Sequence, residues 1–312
     1  MISFGPIPSR RLGKSLGINN IPSQKVCTYS CIYCQVGLTK KYRFERQTFY
    51  EPSVIYDEVQ NHLEKLAERD LPDYLTFVAN GEPTLDINLG RSIEKLKTLN
   101  IPIAVITNAS LLIDKQVRAD LCLADWVSVK IDAADESVWQ KINRPVKQVS
   151  FEQYINALHL FSEEYKGKLV SETMLVSGIN DTDKIVTQTA ALISEINPAI
   201  AYISVPTRPP AVVSVTPPNE YILNEAYQIF NLKGLNTELI LGFEGTDTGF
   251  TGNAFEDIIN ICSVHPIRQD TMDELLRKNN ADPSILNTLL YNKYIEKVEY
   301  KSKLFYIRKF LV

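Results

Sequence analysis

The sequence predicts an α/β fold, in which a partial parallel TIM-like barrel of (β/α)6 type precedes a small winged-helix-like module. Apolar strand-like runs alternate with helical patterns through most of the 312 residues. Polar residues follow one strand after another, and the pattern changes near residue 263. We therefore expect two domains, a barrel over residues 1–262 and a module over residues 263–312.

The barrel strands are predicted from short apolar runs rich in β-branched and aromatic residues. These runs occupy residues 15–21, 74–79, 101–107, 126–132, 170–176 and 199–205, and a further run occupies residues 237–243. Several intervening segments have the i, i+3 and i+4 apolar spacing of helices, at residues 53–67, 88–99, 151–165 and 182–196. Because parallel neighbours need a crossover connection, strands separated by helices predict a parallel sheet.

The loops that follow the predicted strands are polar, and the active sites of parallel barrels lie in such loops. In chain order the loops contain the cysteines, "NGEPT" at 80–84, "TNAS" at 107–110, Lys130 with Asp132, "SGIND" at 177–181, and "PTRPP" at 206–210. We therefore expect substrates to bind at this end of the sheet.

The C-terminal residues predict two helices and a hairpin. The sequence "DPS" at 282–284 is typical of a helix start, with proline near the first helical position. Residues 298–307 alternate around "KSK" at 301–303, which suits a two-stranded wing. The basic tail makes nucleic acid a candidate partner. The acidic charge of the preceding region instead favours a lid over the barrel or a protein-docking surface.

The amino-acid composition indicates which broad class of protein this chain belongs to. With 45% hydrophobic and 22% charged residues, the chain resembles an ordinary soluble globular protein. The first residues lack an apolar signal region, and no window approaches the roughly 18 apolar residues that a membrane span needs. Five cysteines in 312 residues do not make a disulfide framework. We expect a cytoplasmic protein without membrane contact.

The net charge of −4 is unevenly distributed along the chain. Residues 1–50 carry eight Lys and Arg against one Glu, and residues 291–312 carry six against two, which gives charges of +7 and +4. The residues between them therefore hold −15. Anionic ligands are expected at the two basic ends.

Three cysteines, Cys27, Cys31 and Cys34, form a C-x3-C-x2-C pattern. A closed zinc site or an ordinary iron–sulfur cluster takes four protein ligands, so three cysteines leave one metal position open. A zinc knuckle with a distant fourth ligand is the alternative. The remaining Cys122 and Cys262 lie in helical patterns, where we expect small buried hydrophobes.

Together with Tyr33 before the third cysteine and the later Gly81-Glu82-Pro83, this motif resembles that of the radical S-adenosylmethionine (SAM) enzymes. The resemblance implies one [4Fe–4S] cluster on the three cysteines, with SAM on the fourth iron. It implies reductive cleavage of SAM to a 5′-deoxyadenosyl radical, which abstracts hydrogen from a substrate. It also implies an electron donor such as flavodoxin or ferredoxin.

The resemblance and the loop positions suggest how SAM would be held. Glu82 would accept a hydrogen bond from the SAM ammonium, and Gly81 would let the backbone approach closely. By position, Thr107, Asn108 and Asp132 would hold the carboxylate and ribose. Other roles stay open: Lys130 could meet the carboxylate, Asn108 could form a turn, and Lys130 or Asp132 could be solvated.

Residues 5–37 resemble a branch related to the wyosine-forming tRNA enzymes. Nearby basic residues could bind a phosphorylated substrate, or could simply favour an anionic cluster: Arg10, Arg11, Lys40, Lys41 and Arg43. A second cysteine set is lacking, which argues against members with auxiliary clusters. Three hypotheses follow: an enzyme for RNA or nucleotides, an enzyme for small molecules or proteins including glycyl-radical activation, and a metal-dependent nucleic-acid-binding regulator.

Overall fold

A computed structural model describes residues 2–22, 24–242 and 245–309. Its strands are β1 (Ser3–Ser9), β2 (Gly13–Ile18), β3 (Val26–Cys27), β4 (Lys41–Tyr42), β5 (Tyr74–Phe77), β6 (Ile103–Thr107), β7 (Trp126–Lys130), β8 (Lys168–Met174), β9 (Ile200–Ser204), β10 (Thr237–Ile240), β11 (Ile267–Arg268), β12 (Ile295–Tyr300) and β13 (Lys303–Arg308). Its helices are α1 (Pro52–Leu63), α2 (Leu89–Leu96), α3 (Lys115–Leu121), α4 (Glu136–Asn143), α5 (Phe151–Glu164), α6 (Asp183–Ile196), α7 (Glu220–Leu232), α8 (Ala254–Val264), α9 (Gln269–Lys278) and α10 (Ser284–Tyr291).

An eight-stranded sheet in the order β1-β2-β5-β6-β7-β8-β9-β10 forms a curled, TIM-like half-barrel. Strand β1 is antiparallel to β2, and every later neighbour pair is parallel. This confirms the predicted α/β class and parallel sheet. The strand predicted at 237–243 is present as Thr237–Ile240, and its Phe243 lies outside the described residues. The sequence did not predict β1.

Along β7, the inside of the half-barrel changes from apolar to polar. In β7, Trp126 joins an apolar cluster with residues of neighbouring strands, such as Val170 and Tyr202. Two and four residues further along, Ser128 and Lys130 line an internal cavity. Because side chains alternate between the faces of a strand, these three residues share the inner face. The cavity therefore lies above an apolar floor.

The C-terminal residues follow the predicted order of two helices and a hairpin. Helices α9 and α10 precede strands β12 and β13, which pair antiparallel, and β11 adds a third strand to this sheet. One apolar cluster joins these elements to α8 and to Phe4 and Ile7 of β1. The winged-helix description and the boundary at residue 263 stay predictions.

The two isolated cysteines differ in burial. Cys262 is buried on α8, as predicted. The prediction that Cys122 is buried is wrong: it is exposed at the C-terminal cap of α3. The buried face of that helix is formed by residues such as Val117 and Leu121, and Cys122 lies just after them.

Among the described residues, no helix combines the length and apolar character needed to cross a lipid bilayer.

Candidate cofactor and substrate site

A cavity of about 330 Å³ opens inside the half-barrel and falls in the size range of ligand sites. Nine of the predicted site residues line it: Cys27, Cys31, Tyr33, Cys34, Gly81, Glu82, Thr107, Asn108 and Lys130. Pro83 and Asp132 are buried but are not among the lining residues. Loops from four successive strands of the barrel therefore converge on one space, as parallel-barrel geometry predicts.

The cysteine loop is a compact turn. The Cys34 backbone N–H donates to the Cys31 carbonyl at 3.1 Å, and the Gly37 N–H donates to the Cys34 carbonyl at 3.1 Å. The Ile32 N–H donates to the Ile142 carbonyl, which ties the turn to the end of α4. The backbone thus holds the three sulfurs on one wall of the cavity.

Polar hydrogens point at the sulfur atoms. Asn108 Nδ2 lies 3.5 Å from Cys27 Sγ, and Asn143 Nδ2 lies 3.5 Å from Cys31 Sγ. The Tyr29 backbone N–H donates to Cys27 Sγ at 3.4 Å. Donors of this kind favour a thiolate over a thiol.

Lys25 is a cation buried beside the three cysteines. Its Nζ lies 3.1 Å from Cys34 Sγ and 2.5 Å from the Gly37 carbonyl oxygen. Burial alone would lower the pKa of Lys25, but attraction to the three cysteines in their thiolate form outweighs it and raises that pKa. Lys25 was not predicted as a site residue, although it lies two residues before Cys27 within the basic N-terminal zone.

Burial raises the pKa of Cys27 to about 12 and that of Cys31 to about 11. Thiols with such pKa values are protonated near pH 7, and ligation to iron would replace the proton. Within the described ranges, no three His, Cys, Asp or Glu side chains lie close enough together to bind one metal ion. Thiolates are the ligands that iron–sulfur clusters take, so the donor type of the three cysteines fits such a cluster.

A glycine is required at position 81 because the chain there lies against strand β3, which contains Cys27. Gly81 has φ +143°, and a Cβ there would lie 1.6 Å from the Val26 carbonyl oxygen. The Val26 N–H donates to the Asn80 carbonyl at 3.0 Å, and the Glu82 N–H donates to the Val26 carbonyl at 3.1 Å. We predicted that Gly81 admits a close approach of SAM; the close approach that the structure contains is to the backbone of Val26. This packing fixes the glycine loop beside Cys27.

Glu82 is 1% exposed and accepts four hydrogen bonds. Its Oε1 accepts from the Thr84 N–H at 3.1 Å, the Thr84 hydroxyl at 2.7 Å and the Thr107 hydroxyl at 2.6 Å. Its Oε2 accepts from the Asn108 N–H at 2.7 Å. Burial raises the pKa of Glu82, and these bonds partly oppose the rise. The carboxylate therefore joins two loops, and Oε2 keeps more capacity for a further donor.

Asp132 supports the cavity wall from behind. Tyr33 Oη donates to Asp132 Oδ2 at 2.5 Å, Asn143 Nδ2 donates to the same oxygen at 2.7 Å, and the Met174 N–H donates to Oδ1 at 2.8 Å. The carboxylate is thus occupied by protein donors. Its contacts suit a residue that positions Tyr33 better than one that touches SAM.

Lys130 lies in a buried charge network that sequence analysis missed. Its Nζ is 2.7 Å from Glu172 Oε1, which also accepts from the Ser204 hydroxyl at 2.9 Å, while Arg11 pairs with Glu172 Oε2. Burial lowers the pKa of Lys130 to about 8. Lys130 and Glu172 face each other across β7 and β8, so only the strand register could have indicated the pair.

The five basic residues that were considered for a phosphorylated substrate divide between two places. Arg10 and Arg11 line the central cavity. Lys40, Lys41 and Arg43 line a separate groove with residues such as Phe49, so they do not share the cavity of the cysteines.

Comparisons with known proteins agree with this geometry. The profile of the Radical SAM superfamily matches residues 21–189. The UPF0026 protein of Methanocaldococcus jannaschii is 44% identical over 309 residues, covering 98% of this chain and 96% of that protein.

Two solved structures are also similar to this chain. Streptococcus suis SuiB bound to its precursor peptide SuiA matches with a TM-score of 0.54 at 12% identity, over 72% of this chain and 49% of that one. TYW1 with a lysine–pyruvate adduct matches with a TM-score of 0.48 at 14% identity, over 95% of this chain and 81% of that one. At such identities, the likeness to SuiB shows the fold alone.

Proposed function

The chain belongs to the radical SAM superfamily and is an enzyme, and on that premise we propose that it cleaves SAM reductively at a [4Fe–4S] cluster. The observation that carries the proposal is the lining of one cavity by the cysteine loop and by the Gly81-Glu82 loop, which are joined through Val26. When bound, the cluster and SAM would supply the electron and the 5′-deoxyadenosyl radical that takes a hydrogen atom from the substrate. A regulator without catalysis has no support from this superfamily.

The protein's part in holding the cluster is proposed as follows. Cys27, Cys31 and Cys34 would each ligate one iron as thiolates. Lys25 would offset part of the cluster's negative charge, because its buried ammonium lies 3.1 Å from Cys34 Sγ. Asn108 would donate to Cys27 Sγ, as it does in the structure. Such donors to sulfur raise the reduction potential of iron–sulfur clusters.

The protein would orient SAM through residues that are already fixed. Glu82 Oε2 would accept from the SAM ammonium in a charge-assisted bond. Thr107 and Asn108 would act mainly by holding the Glu82 carboxylate, to which they donate at 2.6 and 2.7 Å. Asp132 would position Tyr33 instead of contacting SAM, because protein donors occupy its carboxylate. Lys130 stays a candidate for contact with a carboxylate at the cavity wall.

The substrate class is proposed to be a small molecule, because the cavity of about 330 Å³ must also admit SAM and therefore leaves room for a compact group only. An RNA substrate, suggested by the resemblance to the wyosine-forming branch, and activation of a glycyl-radical protein are the alternatives. Each would place one residue or nucleotide in the same cavity. A flavodoxin or ferredoxin is proposed as the electron donor.

Anaerobic reconstitution tests the proposal. Serine variants at Cys27, Cys31 and Cys34 are expected to lose iron and to form no 5′-deoxyadenosine with SAM and a strong reductant. Cys262→Ser at a buried site and Cys122→Ser at an exposed site are matched controls that should keep both properties. Retention of the full iron content by the three variants, or wild-type protein that never forms 5′-deoxyadenosine under any reducing condition, would contradict the proposal.

A further inference from the structure

The outer groove, which is lined by Lys40, Lys41 and Arg43, carries positive charge that no acidic side chain offsets. All three side chains are exposed, and none of them forms an ion pair with a described residue. The described residues that line the groove include no Asp or Glu. Glu45, the single acidic residue among residues 1–50, is not one of them. Three cations therefore face solvent at one place, which favours an acidic partner.

The groove lies one strand away from a proposed cluster ligand. Strand β4, formed by Lys41 and Tyr42, pairs with β3, so that Lys41 is opposite Val26 and Tyr42 is opposite Cys27. The Arg43 backbone N–H donates to the Cys27 carbonyl at 3.2 Å. Both residues of β4 are exposed, whereas Cys27 is buried. Because neighbouring strands lie about 4.8 Å apart, a protein resting on β4 would approach the backbone of Cys27 closely.

The groove and the central cavity lie on opposite sides of β3. Val26 lines the groove and the next residue, Cys27, lines the central cavity, as expected for successive side chains of a strand. No described residue lines both spaces. A partner in the groove would therefore reach the cluster ligand without occupying the space for SAM and substrate. A cavity of about 330 Å³ is too small to admit a protein, so a protein must deliver its electron from outside the cysteine loop.

The exposed surface beside the cations is partly apolar. Tyr42 is 47% exposed and Leu38 is 50% exposed. Tyrosine and arginine are enriched in protein–protein interfaces, and three cations beside an aromatic ring also suit RNA. An RNA substrate, however, must place a nucleotide in the central cavity, and the groove lies on the other side of β3. The location of the groove therefore favours a protein that acts on the cluster.

We propose that the outer groove, with Leu38 and Tyr42, is the docking surface of an acidic one-electron carrier protein that reduces the cluster. This inference rests on the proposed function, which supplies the cluster. In the docked complex the carrier would be oxidised by one electron and the cluster reduced by one, and no covalent bond forms or breaks in this step. Electron-transfer complexes are typically small and weak, so three cations around one groove are sufficient to guide docking.

The experiment measures the dissociation constants of an acidic bacterial flavodoxin and of an acidic ferredoxin for the reconstituted full chain, without SAM, at low and at high ionic strength. The test variant replaces the three cations of the groove: Lys40→Gln, Lys41→Gln and Arg43→Gln. In parallel, formation of 5′-deoxyadenosine from SAM is measured with each reduced carrier and with dithionite, a small reductant that needs no docking surface.

The control variant removes three exposed lysines that line neither the groove nor the central cavity: Lys97→Gln, Lys184→Gln and Lys233→Gln. It has the same net charge as the test variant, so a difference between the two variants reports on the location of the charges. Iron content is compared in all three proteins, which should contain equal amounts of cluster.

At least one carrier should bind the wild type and the control alike. Its dissociation constant should rise about tenfold or more in the test variant at low ionic strength. High salt should reduce this difference, because it screens exposed charges. The rate of 5′-deoxyadenosine formation at a limiting carrier concentration should fall in the same proportion, whereas the rate with dithionite should be equal in all three proteins.

Equal binding of the carriers to the wild type and the test variant, equal weakening in both variants, or no binding of either carrier would overturn the inference. Binding of a transfer-RNA transcript that needs the same three cations, without binding of a carrier, would overturn it in favour of RNA. Wild-type protein that forms no 5′-deoxyadenosine with dithionite would instead be a failure of the proposed function, which carrier binding, measured without SAM, does not share.

Discussion

Replacing Gly81 by alanine is expected to damage both the fold and the cluster site. The new Cβ would lie 1.6 Å from the Val26 carbonyl oxygen, which is backbone and cannot rotate away. The segment before Cys27 must therefore move, and two backbone hydrogen bonds must weaken, from Val26 to Asn80 and from Glu82 to Val26. Loss of both bonds costs about 2 kcal/mol. An alanine forced to φ +143° adds about 1–3 kcal/mol.

The free energy of unfolding is expected to fall by about 3–5 kcal/mol, which is a large part of the roughly 5–15 kcal/mol that stabilises a folded protein. Urea denaturation would measure the loss, and iron content after reconstitution would report on the cysteine loop. Gly178→Ala is the matched control, because Gly178 has φ +71° and a Cβ there would meet nothing within 4 Å. The free energy of unfolding of Gly178→Ala should fall by only about 1–2 kcal/mol, and this variant should keep its iron. Equal losses in the two variants, with full iron content in Gly81→Ala, would refute this reasoning.

Two further predictions concern buried titratable groups. Glu82→Gln should weaken SAM binding by about 1.5–3 kcal/mol in anaerobic titration, the value of a charged hydrogen bond. The control Thr84→Val removes one donor to Glu82 but keeps the charge of Glu82, so it should retain the affinity for SAM. Unchanged affinity in Glu82→Gln with weakened affinity in Thr84→Val would exclude Glu82 from the site. His62 accepts from the Ser3 hydroxyl and donates to the Gly5 carbonyl, and burial lowers the pKa of His62 below 6.5. The unfolded chain therefore binds more protons below pH 6.5, so stability should fall as the pH drops from 6.5 toward 5. The midpoint of urea unfolding should fall less in His62→Gln, and an identical fall would contradict this.

The parallel sheet was predictable because its strands are buried on both faces and therefore appear as apolar runs. The run at 126–132 overestimated β7, which ends at Lys130, because Ile131 and the following residues are buried without being in the strand. Strand β1 was missed because Pro6 and Pro8 interrupt the usual strand pattern. Proline is tolerated there because β1 lies at the edge of the sheet.

The convergence of the strand-end loops was also predictable, but their internal contacts were not. Glu172 meets Lys130 only through the register of β7 and β8, and a sequence contains no direct record of register. Asp132 was assigned by its place after a strand, yet Asn143 and Tyr33 reach its carboxylate from other elements. Position along the chain thus indicates which loop a residue occupies, and tertiary packing decides what its side chain contacts.

The same limit applies to charge. The sequence shows one basic zone over residues 1–50, but the structure divides it among separate tasks. Lys25 faces the cysteines, Arg11 pairs with Glu172, and Lys41 lies in an outer groove. Lys130 shares the carboxylate of Glu172 with Arg11, so these two cations are matched by one negative charge. Charge counted along the chain therefore indicates neither the partner of a cation nor the cavity that the cation lines.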